Sequence, residues 1–213
     1  MPNQHIQHIS FWKWFPANDP VATSVARLCI LREDLYLETL ALIEESLPPL
    51  DKNTAVWRMT YFWRNSVRTL FEIRSAIEIL YSEDEFRNAL ESQPLPLRDA
   101  FKSLKDEIVK AHGVLKPIRN SIGGHVLQQA VKKGLSNMDF GRGGLIELGE
   151  RVHDTHYRFV SELLGVVWLG ENPGSEWKEE IEKTVKLIAE LSRALETIDI
   201  VFDTYMRSRR LLD

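Results

Sequence analysis

Apolar residues step through this 213-residue chain at alternating intervals of three and four, the period of an amphipathic helix. Leu28, Leu31, Leu35 and Leu42 make one stripe, and Ile30, Leu37 and Leu40 make a second on the same segment. Val56, Met59, Trp63, Ser66, Leu70, Ile73, Ile77 and Leu80 follow the rule, as do Leu97, Phe101, Leu104, Ile108, Ala111, Leu115 and Ile118. The last stripe runs Trp177, Ile181, Thr184, Ile188, Leu191, Leu195, Ile198, Phe202, Tyr205. No segment alternates as a half-buried strand would. The predicted fold is therefore all-α, an up-and-down helical bundle.

Capping and breaking residues place the boundaries. Pro20 after Asp19 suits a helix start, and Leu47-Pro48-Pro49-Leu50 stops that helix. A second helix is expected from Asn53 to Tyr81, a short one from Glu83 to Ser92, and a third through the Leu97–Ile118 stripe. Pro117 should bend the chain immediately before Arg119. A short helix to about Lys133 follows, then a glycine-rich loop over 134–144, then a helix carrying Leu145 to Leu169 with a possible extended piece at Gly144–Leu148. The first helix, apolar on two sides, is either central or used at a subunit contact.

Length and an ordinary 44% hydrophobic content fit a single domain over 1–213. The lone Cys29 excludes an internal disulfide; set among Leu28, Ile30 and Leu31, it reads as a buried structural thiol. No signal peptide and no bilayer-spanning apolar run are visible, so a cytoplasmic protein without a membrane partner is expected. Phe11-Trp12-Lys13-Trp14-Phe15 is expected to pack over the core or across a subunit contact, contact with a membrane interface being the alternative. The net charge of −4 argues against a generally cationic surface. Yet Lys102, Lys105, Lys110, Lys116, Arg119, Lys132 and Lys133 are opposed only by Asp106 and Glu107, a basic stretch that as a default is a solvated helix face.

Within that stretch lies Lys116-Pro117-Ile118-Arg119-Asn120-Ser121-Ile122-Gly123-Gly124-His125. Arg119 can clamp a phosphate with its planar fork, and His125 can carry a proton near neutral pH. Six residues of straight helix separate the two by about 240° and ~9 Å. They can act together only with a bend at Gly123-Gly124, a two-fold partner, or both. The alternative is structural: Arg119 pairs with a carboxylate and His125 is a satisfied histidine near a helix end.

The Arg119-Asn120-(four residues)-His125 pattern at a helix junction in an all-α chain resembles the HEPN superfamily, whose signature is an arginine followed by four to six residues and a histidine. The resemblance covers residues 20–133, with 134–213 as further helices packing on the bundle. It implies a bundle that dimerises with the motifs meeting in the dimer cleft, and a metal-independent endoribonuclease without cofactor, in toxin–antitoxin, defence or RNA-processing systems. It also implies Arg119, His125 and Asn120 as catalytic residues, RNA as substrate, and an antitoxin or other protein as partner. Lys116, Arg64 and Arg68 are the candidate RNA contacts; Arg64 and Arg68, one turn apart with Glu72 beyond, are otherwise a surface ion-pairing face. Members that have lost catalysis give the second reading, a non-catalytic interaction or RNA-binding module.

A third reading takes His125, His153-Asp154, His156 and Asp199 or Asp203 as metal ligands, in the order of the HD phosphohydrolases. The apolar run expected before the His-Asp pair is missing at Leu148-Gly149-Glu150-Arg151-Val152. His5, His8 and His112 read as surface histidines. Gly141-Arg142-Gly143-Gly144 is too short for a phosphate-binding fingerprint.

Overall fold

A computed structural model describes residues 10–43, 52–120, 128–138, 146, 148, 157, 159–169, 176–191 and 194–209. Among them every regular element is a helix: α1 (Phe11–Trp14), α2 (Pro20–Ile43), α3 (Lys52–Ser82), α4 (Asp84–Glu91), α5 (Leu95–Ile118), α6 (Gln128–Asn137), α7 (Phe159–Leu169), α8 (Glu176–Leu191) and α9 (Ala194–Ser208). No described helix is long and apolar enough to cross a membrane.

The expected cap at Asp19 is present: the Ala22 amide donates to its Oδ1 at 3.0 Å, which satisfies an otherwise orphaned first-turn N–H. Leu28, Leu31 and Leu35 of the first stripe are buried, whereas Ile30 and Leu37 of the second are 65% and 61% exposed. The apolar double face of α2 thus divides into a core side and a solvent side. α3 buries Trp63, Ser66, Val67, Leu70, Ile73, Ile77 and Leu80, and α5 buries Phe101, Leu104, Ile108, Ala111 and Leu115. The side chains of Val56, Ile118, Trp177, Ile181 and Leu191 lie outside the described residues.

α2 packs against both α3 and α9, and α5 closes the bundle against α3 and α9. Asp19 pairs with Arg209 and Arg32 with Asp199, so α2 and α9 run antiparallel. The pairs Tyr81–Phe101 and Phe71–His112 give α3 and α5 the same relationship. The final stripe is carried by α8 and α9, on either side of residues 192–193, which lie outside the described residues. The aromatic start packs inward as expected at Trp14, which is buried, and at Phe15, stacked on Tyr205; Trp12 is 92% exposed.

Boundaries differ from the sequence-based expectation: the helix expected to carry Leu145 to Leu169 begins, among the described residues, at Phe159, and Ile146, Leu148 and Tyr157 lie outside any helix. Gly134 was expected to open a loop, but it lies inside α6 and is buried. A Cβ there would sit 2.5 Å from Val167 Cγ2 and 3.2 Å from Leu163 Cδ1, so the glycine serves close approach of α6 to α7 rather than a turn. At Pro117, where a bend was expected before Arg119, the helix is not broken. α5 continues through Pro117, Arg119 keeps helical angles (φ −55°, ψ −45°), and Arg119-Asn120 widen into a π turn. Pro117 has no N–H to donate to the preceding turn, and a local π adjustment is one way a helix absorbs that loss.

Candidate functional site: the C-terminal end of α5

Arg119 and Asn120 are both solvent-exposed at the end of α5. The Arg119 amide is held by the Leu115 and Lys116 carbonyls. Its guanidinium donates to Asn120 Oδ1 at 3.3 Å and lies 5.7 Å from the centroid of the Phe71 ring on α3. A cation over a ring face is attracted by the ring quadrupole, which orients the side chain without neutralising it. Among the described residues Arg119 has no carboxylate partner. By contrast Arg27, Arg32, Arg74, Arg87, Arg98, Arg207 and Arg209 all pair with one. The structural alternative of an ion-paired Arg119 therefore finds no support among these residues.

Lys116 is exposed one turn before Asn120. His112, a further turn back, is half-buried with its ring centroid 5.0 Å from that of Phe71. Partial desolvation, then Arg74 and Lys116, hold its pKa below the usual imidazole value, opposed by Glu78. Phe71 therefore touches both His112 and Arg119, and with Leu70, Arg74, Ile108 and Leu115 it lines a cleft between α3 and α5.

Arg64 and Arg68 precede Phe71 on α3, and the antiparallel pairing puts them toward the same end as Arg119. Arg68 is exposed, and its charge acts on Glu38 of α2. Arg64 is half-buried, and burial lowers its pKa. His125, the remaining motif residue, lies outside the described residues, as do His153, Asp154 and His156. Of the other candidate metal ligands, Asp199 takes two hydrogen bonds from Arg32, at 2.7 and 3.1 Å, and Asp203 one from Arg207 at 2.7 Å. Among the described residues no cluster of three or more metal-ligating side chains occurs.

His112 and Phe71 were missed because their proximity arises between helices. The α5 side of the signal was legible: Arg98, Lys102, Lys105, His112, Lys116 and Arg119 fall at helical three–four spacing. Comparison of the chain with known protein families, with curated proteins and with solved structures finds no match.

Proposed function

We propose that the protein is a HEPN-like, metal-independent endoribonuclease of the cytoplasm, acting as a homodimer in a toxin–antitoxin or defence setting with an antitoxin as protein partner. The observation that supports this reading is Arg119 itself, exposed, unpaired with any described carboxylate, and oriented by Phe71 beside Asn120 and Lys116. A cation left unneutralised at a helix end is available to an anionic ligand. The exposed Ile30 and Leu37 on the outer face of α2 are an apolar stripe of the kind a second copy can cover, but α2 and α5 each pack on α3 and α9 rather than on one another, so a contact there is separate from the one that brings two motifs together.

In the proposed reaction His125 removes the proton from an RNA 2′-hydroxyl, and the resulting oxygen attacks the adjacent phosphorus. The bond from phosphorus to the 5′-oxygen breaks, and a second imidazole, the His125 of the mate, protonates that leaving oxygen. Products are a 2′,3′-cyclic phosphate and a free 5′-hydroxyl. Arg119 stabilises charge on the non-bridging oxygens, and Asn120 orients the phosphate or His125. An imidazole with its ordinary pKa of about 6.5 can serve as base or acid.

The test is cleavage of end-labelled RNA in EDTA. Wild type should cut, and Arg119→Ala and His125→Ala should each lose a factor of about 100 or more. Undiminished cutting by both variants, or cutting only with added divalent metal, overturns the assignment. RNA binding without cleavage would favour the non-catalytic module, which the same exposed arginine also suits.

A further inference from the structure

Six positions of α5, Arg98, Lys102, Lys105, Val109, His112 and Lys116, and its capping residue Arg119 alternate by four and three and so share one face of the helix. The stripe rises ~31 Å. The acidic residues of α5 (Asp99, Asp106 and Glu107) fall outside it. Alongside, α3 contributes aromatic rings at matched levels. Lys105 Nζ sits 3.7 Å from the Tyr81 centroid, and Phe71 contacts both His112 and Arg119. Arg74 adds a cation from the α3 side of the cleft.

Charge along this edge is only partly cancelled. Glu91 takes Arg98 at 2.8 Å and Lys102 at 3.8 Å, and Glu78 takes Arg74. Lys105, Lys116 and Arg119 have no carboxylate partner among the described residues. Six cations thus face two carboxylates on one edge of a chain whose net charge is −4. Concentrating positive charge on one strip of an acidic protein suits a linear polyanion. The rings narrow the choice: Tyr81 and Phe71 hold Lys105 and Arg119 in place, and the half-buried His112 ring backed by Phe71 is the platform on which a base could stack, so that cations along a backbone and a stacking ring, the two parts of single-strand binding, lie on one edge. Val109 is the stripe's one exposed apolar side chain, which is too little for insertion into a lipid surface.

We propose that the α3–α5 edge is a binding track for single-stranded RNA, with Lys102, Lys105, Lys116 and Arg119 on the phosphates and His112, backed by Phe71, stacking on an unpaired base. The choice of RNA over DNA rests on the endoribonuclease reading; the track itself does not need cleavage. Partial desolvation, Arg74 and Lys116 favour the uncharged imidazole, and its ring is planar. A ~31 Å track accommodates a short single strand, within the span of about 4–16 nucleotides common for one binding domain. A base-paired strand would have no free face for the ring.

The experiment uses a fluorescent 2′-O-methyl RNA 12-mer, which lacks the attacking hydroxyl and stays intact, with anisotropy read across a salt series. Wild type should bind it more tightly than the matching duplex. Lys105→Gln combined with Lys116→Gln should weaken binding 10-fold or more and reduce the slope of log K against log salt by about 1.4, for two lost phosphate contacts. His112→Ala should weaken binding about 5-fold or more with the slope unchanged, as expected for lost stacking. An unchanged affinity and slope in the double lysine variant, or equal affinity of wild type for duplex, overturns the track. Tight track-dependent binding with no cleavage of unmodified RNA sinks the nuclease reading alone. Cleavage by wild type with normal binding by the lysine variant sinks the track alone.

Discussion

The Tyr205 hydroxyl donates a hydrogen bond to the backbone carbonyl of Trp14, 191 positions away in the chain. Tyr205 is fully buried, Phe15 stacks on its ring, and Arg209 lies over it. This one contact fastens the aromatic start of the chain to α9, and Arg209 extends the fastening to Asp19 and Glu85. Tyr205→Phe keeps the ring but strands the carbonyl. It should cost about 1–2 kcal/mol, measured by urea unfolding.

Glu38 faces a different problem. It is buried at the α2–α3 seam, its Oε1 accepts from Thr69 Oγ1 at 3.1 Å, and its Oε2 has no hydrogen-bond partner. Burial pushes its pKa up to about 7, helped by Asp34 and opposed by Thr69, Arg68 and Ser66. A carboxyl raised above its unfolded value binds its proton more tightly when folded. Stability is then greatest below about pH 4.5 for this group and falls as pH rises through 7. The full swing is at most about 3 kcal/mol. Glu38→Gln should flatten the profile and raise Tm at pH 8 more than at pH 5, as scanning calorimetry at both pH values would read.

Gly134→Ala separates helix propensity from packing. Alanine favours an isolated helix by about 1 kcal/mol, but its Cβ would meet Val167 Cγ2 at 2.5 Å. A short branched side chain cannot swing away cheaply, and overpacking costs about 1–3 kcal/mol. The expected outcome is net destabilisation with faster amide exchange in α6 and α7.

The Cys29 thiol is half-buried rather than fully enclosed. Burial first, then Asp199 and Glu33 against Arg32, raise its pKa to about 11. At pH 8 almost none is thiolate, so iodoacetamide should label the native protein at least 10-fold more slowly than the urea-unfolded chain. Equal rates would refute this assignment.

Ile30 and Leu37 test whether the outer face of α2 is a subunit contact. Both are exposed in the single chain, so lysine at both positions should change monomer stability by no more than about 0.5 kcal/mol. Sedimentation velocity should show the double variant in a smaller assembly than wild type; an unchanged assembly would mean that this face is not a subunit contact.

Helical class was legible because a 3.6-residue period is a local property. Each stripe on α2, α3, α5 and α9 predicts its own buried face without knowledge of a partner. The Asp19 cap is local in the same sense, since donor and acceptor lie three residues apart. Arg119 and Asn120 could be named from the sequence because a motif is local too, and their exposure depended only on where α5 ends. Other features join residues on different helices. His112 looked like an isolated surface histidine until α3 brought Phe71 to it. Gly134 carried the composition of a loop but lies within α6, at a point where α7 approaches too closely for a side chain. Arg32 and Asp199 find each other across 167 positions, and Glu38 is buried only because α3 covers it. The sequence by itself determined which segments coil and which face each would hide. Tertiary structure decided which cations are neutralised and which remain open, because pairing energy depends on distances that a periodic pattern along one helix does not encode.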